Sequence, residues 1–226
     1  TYVLAASSPD YAITKSVYEQ GWANNGAIRS SKLQYGIPLV LNHAGGSDFG
    51  GPLFFSQYSF LGLNPKNLSD QYANYWNLVV NHTKINRLYC ISNPKNYADY
   101  GFDCWGLTAS YSRNSDGSIG YSAHSPSNDL GVISPTAAIS SIAYTPSESL
   151  DVMHFLYQKK DKLLGVAGFY DAFSPQYNYW VAEAYLAIDQ GPEIIMFENY
   201  RTGLLWNLFM QNEDVKNGLN ILGFNY

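Results

Sequence analysis

The chain has 226 residues, a formal net charge of −5 and 14% charged residues, against roughly 25% in an average soluble domain. There is no basic excess to neutralise phosphates, which argues against a nucleic-acid partner, and the 46% hydrophobic content is too high for bulk disorder. No apolar run reaches the ~18 residues a membrane span needs, and two cysteines are too few for a disulfide scaffold or a Cys-rich zinc site.

Residues 1–8, Thr-Tyr-Val-Leu-Ala-Ala-Ser-Ser, read as the last turns of a helix closed by Ser7, Ser8 and Pro9. A helix opening at residue 1 lacks an N-cap and a first turn, so the expectation is a chain that starts inside a larger domain. Asp10 is placed to cap a helix reaching Gln20. Residues 32–65, with Gly45-Gly46 and Gly50-Gly51-Pro52, read as a long ordered loop with room for a short hairpin, a kind of segment that often carries function. Asn67 or Ser69 then opens a helix to about Ile91, with Tyr72, Trp76, Val79, Val80, Leu88 and Tyr89 at helical spacing; Asn93-Pro94 ends it.

Residues 93–133 are again loop-like. Ser134-Pro135 starts a short helix with Pro at its first position. Thr145-Pro146-Ser147-Glu148 has the capping-box spacing, predicting a helix to Leu164 with a stop at Gly165. Tyr179–Ile188 reads as helical. Pro192–Met210 reads as a helix apolar on most sides and therefore buried, and Glu213–Leu222 as a last helix ending at Gly223. The sequence has no alternating βαβ rhythm and no repeat at 20–50 residues. The fold class is all-α: helical hairpins with long aromatic loops at one end, forming a single domain portion over 1–226.

Metal and cofactor chemistry find no support. His43, His82, His124 and His154 are scattered, with no HExxH and no CxxC, so no metal and no cofactor are expected. Cys90 and Cys104 can be a disulfide or two buried free thiols. There is no GxSxG elbow and no phosphate-cradling loop.

The carboxylates carry more information. Asp171 lies in the aromatic run Gly168–Phe173, Asp189 in Ile188-Asp189-Gln190-Gly191-Pro192, and Glu198 inside the apolar helix. Acids in apolar surroundings have raised pKa values, which general acid–base catalysis uses. Each has a structural alternative: Asp189 as a helix-dipole partner, Glu198 as an ion pair with Arg201, Asp171 as a turn residue. Aromatic faces stack on sugars while Tyr hydroxyls and amides bond their hydroxyls. Tyr58, Trp105, Tyr111 and Tyr170 are the candidates, against the alternative that each is a core residue.

Several motifs occur in order: Gly51-Pro52-Leu53-Phe54-Phe55, Asn67-Leu68-Ser69-Asp70-Gln71-Tyr72, Cys104-Trp105-Gly106-Leu107-Thr108-Ala109-Ser110, Tyr144-Thr145-Pro146, Gly168-Phe169-Tyr170-Asp171-Ala172-Phe173, Ile188-Asp189-Gln190-Gly191-Pro192 and Glu198-Asn199-Tyr200-Arg201-Thr202-Gly203. Together they resemble the glycoamylase-like family of bacterial glycoside hydrolases, which includes endo-β-1,2-glucanases. The resemblance implies an (α/α)6 toroid, of which this chain matches the C-terminal half, and an inverting hydrolysis of a glucan, β-linked and with β-1,2-glucan as a candidate. It implies Asp189 as the base, with the partner acid in the N-terminal half, and Glu198, Asp171 and Arg201 shaping the charge around it. Trp105, Tyr58, Gln57, Tyr111 and Tyr170 would line subsites. Two positions depart from the family pattern: Gln57 stands where the family has His, and Tyr111 where it has Asp. The implied partners are an oligo- or polysaccharide and the N-terminal half; the implied location is periplasmic or secreted. A non-catalytic glycan-binding protein on the same scaffold is the alternative function, and a purely structural fragment is a third reading.

Overall fold

A computed structural model describes residues 1–226, apart from the Ala44 side chain. Ten α-helical segments follow in chain order: α1 Tyr2–Ala6, α2 Lys15–Val17, α3 Phe54–Gln57, α4 Tyr75–Ser92, α5 Pro135–Ile139, α6 Pro146–Gln158, α7 Lys160–Leu163, α8 Ala187–Arg201, α9 Leu204–Gln211 and α10 Glu213–Leu222. Eight short strands form four antiparallel pairs: β1 Leu33–Gln34 with β2 Ile37–Pro38, β3 Ala109–Arg113 with β4 Ile119–Ala123, β5 Leu164–Gly165 with β6 Gly168–Phe169, and β7 Ala172–Ser174 with β8 Trp180–Ala182. The protein is thus helix-rich, and the loops between helices fold into short two-stranded hairpins.

Local chemistry explains where the elements depart from expectation. α4 begins at Asn74, whose side chain accepts the Asn77 N–H at 2.9 Å, and not at Asn67 or Ser69. The intervening residues are held in a turn because Asp70 Oδ1 accepts the N–H groups of Tyr72 and Ala73. α4 ends as expected, with Asn93 left-handed at φ 42°. The Asp10–Gln20 helix is reduced to α2 and a π turn over Tyr18–Trp22. The Thr145 capping box does not form: Thr145 makes no side-chain cap, and its hydroxyl is buried without a partner. Pro146 opens α6 without it.

The 179–210 region differs most. Trp180–Ala182 is a strand, paired Ala172↔Ala182 and Ser174↔Trp180. α8 starts five residues before Pro192 and ends at Thr202, where Gly203 at φ 71° redirects the chain into α9. This pair of helices is not buried on all sides, since Ile194 is 74% and Leu208 58% exposed.

Two apolar clusters make up most of the core. One gathers Leu78, Tyr144, Met196, Trp206 and Leu219 between α4, α8, α9 and α10. The other gathers Trp105, Leu107, Ile133, Leu156 and Phe173 between the 104–107 segment, α5, α6 and β7. α1 seats on α10 so closely that a Cβ at Gly218 would run into the Val3 carbonyl. Cys90 and Cys104 are both buried free thiols.

Candidate active site

Three segments converge at the start of α8. The first is the turn after α3, which carries Tyr58. Its ring leans on Phe54 at 5.6 Å, so α3 sets the reach of its hydroxyl. The second is the loop entering β7, which carries Asp171. The third is the first turn of α8, which carries Asp189. β3 lies alongside β7 and closes the site from the hairpin side.

Backbone bonds fix both acids. The Asp171 N–H donates to the Ala184 carbonyl at 3.1 Å, and its Oδ2 accepts the Tyr111 N–H at 2.7 Å. The Asp189 N–H donates to the Leu186 carbonyl at 3.0 Å. Asp189 Oδ1 accepts the Tyr58 hydroxyl at 2.7 Å. Asp171 Oδ1 and Asp189 Oδ2 are left buried with no donor.

A single proton resolves those two orphaned oxygens. The carboxyls are close enough to interact directly, and each perturbs the other. Two adjoining carboxylates cannot both ionise freely in a buried site. Burial first, then the neighbouring Asp189, push Asp171 up to about 7. Burial also raises Asp189, while its bonds from Tyr58 and Asp171 pull it back down. Asp171 is therefore the member of the pair that holds a proton more readily, and Asp189 the one that ionises first, at a helix N-terminus that favours negative charge.

Sequence reasoning missed Glu193. It is four residues after Asp189 in α8, hence on the same face. Its Oε1 is buried without a partner. Burial and the charges of Asp171 and Asp189 push it up to about 8. The i, i+4 spacing of two acids on an apolar helix was the available signal. Tyr121, the cross-strand partner of Tyr111, was also missed. It is 62% exposed, and its hydroxyl feels both Asp189 and Asp171.

Several expected site residues lie elsewhere. Trp105 is fully buried in the second core cluster, so it offers no face to a ligand. Gln57 is a core amide that donates to Thr83 Oγ1 at 3.1 Å and Ser141 Oγ at 2.9 Å; its departure from the family pattern does not touch the site. Glu198 lies nine residues beyond Asp189, half a turn around and about 13 Å along α8. It is held by Arg201 at 3.4 Å and the Thr202 hydroxyl at 2.6 Å, and Arg201 is itself largely exposed. The pair is a surface ion pair. Tyr170 is half-buried and stacks on Tyr185 at 5.3 Å. Tyr111 reaches the site through its backbone N–H, with its ring against Val132 and Ala172. Among the described residues, no group of three or more His, Cys, Asp or Glu is arranged to hold a metal ion.

Comparison with known proteins gives the family of the chain. Residues 1–213 match the family described as "Glycoamylase: Putative glucoamylase". The structure resembles that of an endo-β-1,2-glucanase from Chitinophaga pinensis, solved with sophorotriose and glucose, with 53% identity and a TM-score of 0.94 over 100% of this chain and 53% of that one. It also resembles a β-1,2-glucanase from Parabacteroides distasonis, with 38% identity and a TM-score of 0.86 over 98% of this chain and 33% of that one. An exo β-1,2-glucooligosaccharide sophorohydrolase acting at the non-reducing end, also from Parabacteroides distasonis, is 39% identical over 97% of this chain and 32% of its own length. The chain thus spans about half the length of the Chitinophaga protein and about a third of the sophorohydrolase. On a match that runs through nearly all of its residues, the chain belongs to the glycoamylase-like family of glycoside hydrolases.

Proposed function

We propose that the protein hydrolyses a β-linked glucan, with β-1,2-glucan as the substrate, and inverts the anomeric centre. The observation that carries this reading is the buried Asp171–Asp189 pair beside Tyr58. One carboxylate is kept ionised by a neighbour that holds a proton, which is the state a general base needs near neutral pH. An inverting glycosidase places a base and an acid about 6.5–9.5 Å apart on opposite sides of the scissile bond. Asp189 takes the base role. The acid, together with the helices completing an (α/α)6 toroid, is assigned to polypeptide outside these 226 residues. The partial coverage of the relatives supports that assignment.

The sugar would lie against the β3–β4 hairpin, with the exposed ring of Tyr121 as a stacking face. The names of the relatives support the β-1,2 linkage. A polymer substrate also fits a periplasmic or secreted location. The test uses the full-length protein. Reducing-end release from β-1,2-glucan is measured beside β-1,3- and β-1,4-glucans, with the product anomer read by NMR and oligosaccharide binding by calorimetry. Hydrolysis of the β-1,2 polymer to the inverted anomer is expected. Binding without release would instead establish the glycan-capture alternative.

A further inference from the structure

The Tyr58 hydroxyl has one hydrogen and two acceptors. Asp189 Oδ1 lies 2.7 Å away, and the Ile188 carbonyl oxygen 2.9 Å. A carbonyl in the first turn of an α-helix ordinarily accepts the N–H four residues on. For Ile188 that residue is Pro192, which has no N–H. A proline inside α8 therefore leaves a backbone acceptor open beside the ionised acid, and Tyr58 occupies it.

We infer that Tyr58 is a positioning residue that serves Asp189 in both of its protonation states, turning its hydrogen between Asp189 and the Ile188 carbonyl that Pro192 leaves without a helical donor. The inference rests on the proposed role of Asp189 as base. In the resting site Tyr58 donates to the carboxylate. As the water oxygen bonds the anomeric carbon, the glycosidic C–O bond breaks and its electron pair stays with the leaving oxygen, which takes a proton from the general acid. The water gives up its own proton to Asp189 Oδ1. Tyr58 then turns its hydrogen onto the Ile188 carbonyl and accepts the new O–H of Asp189. No heavy atom moves, and Asp189 Oδ1 keeps Tyr58 as its partner in both states; in the resting site the Ile188 carbonyl, on a largely exposed residue, is left to solvent. The titratable groups facing this point are Asp171 from the loop before β7, Tyr121 from β4 and Glu193 from α8 itself.

The test is a cycle of Tyr58→Phe, Pro192→Ala and the double variant in the full-length protein. Tyr58→Phe keeps the ring and removes the donor. The apparent titration of the Asp171–Asp189 pair should rise by about one pH unit. This is followed by 13C NMR of the carboxyls, assigned with Asp189→Asn, and as the acid limb of kcat/KM. Pro192→Ala supplies the missing N–H, which competes for the Ile188 carbonyl. With Tyr58 present it should lower kcat about threefold or more with KM unchanged, and in the Tyr58→Phe background it should change nothing further. An unmoved titration in Tyr58→Phe overturns the inference, as does an equal effect of Pro192→Ala in both backgrounds. The NMR titration needs no turnover, so a protein that fails to hydrolyse glucan refutes the proposed function while leaving the role of Tyr58 measurable.

Discussion

Replacing Asp171 by Asn should make the protein more stable at pH 8 and leave it unchanged at pH 4. The amide reproduces the protonated acid: its oxygen still accepts the Tyr111 N–H, and its NH2 is a donor that can face the neighbouring Asp189 carboxylate. In the wild type, Asp171 releases its proton at 3.8 when unfolded and at about 7 when folded. Between those values the folded state binds more protons than the unfolded state, so stability falls as pH rises. A shift of roughly three units at about 1.4 kcal/mol each sets an upper bound of about 4 kcal/mol, fully lost above pH 7. Relaxation of the buried pair should reduce this by about half, to about 2 kcal/mol. At about 2–4 °C per kcal/mol, the melting temperature of the variant should exceed the wild type by several degrees at pH 8. The assay is thermal unfolding of the full-length proteins from pH 4 to 8. If Asp171→Asn follows the wild-type pH profile, or is destabilised throughout, the shared-proton description of the site is wrong.

Four further outcomes follow from the same structure. Glu193→Gln should also raise stability above pH 8, with a smaller effect below pH 5, because burial holds that acid up to about 8; urea titration at both pH values reads this. Trp105→Ala should cost about 3–5 kcal/mol by emptying a fully buried site, while Trp105→Phe should lower the melting temperature and leave KM for the glucan unaltered. Glu198→Gln should change stability by less than about 1 kcal/mol, as expected of an exposed i, i+3 ion pair, with kcat within twofold of wild type. Gly218→Ala should destabilise by about 1–3 kcal/mol, because α10 must back away from the Val3 carbonyl; calorimetric melting checks this.

Helices with strong local punctuation were legible in the sequence. α4 ends at Asn93, α6 starts at Pro146 and α10 ends at Gly223, because left-handed residues and proline act through the backbone alone. The start of α4 was misread because Asp70, not Ser69, decides the local bonding, by tying up the N–H groups that would have begun a helix. Trp180–Ala182 looked helical in isolation and became a strand through pairing with Ala172–Ser174, a tertiary choice that spacing does not carry. The site followed the same rule. Asp189, Asp171 and Tyr58 stand out by their neighbours in sequence, and all three meet. Trp105 lies in one of the ordered motifs and Gln57 precedes Tyr58 in the chain, yet both side chains are buried in the core, since sequence identity does not reveal which way a side chain points. Glu193 was hidden because its importance comes from the two acids it faces.

The central claim is that Asp189 is the group that activates water, and Asp189→Asn in the full-length protein tests it most directly. The account predicts that kcat on β-1,2-glucan falls by about 10²–10⁴, while oligosaccharide binding by calorimetry and the melting temperature stay close to wild type. Hydrolysis at the wild-type rate by a folded Asp189→Asn protein would contradict it.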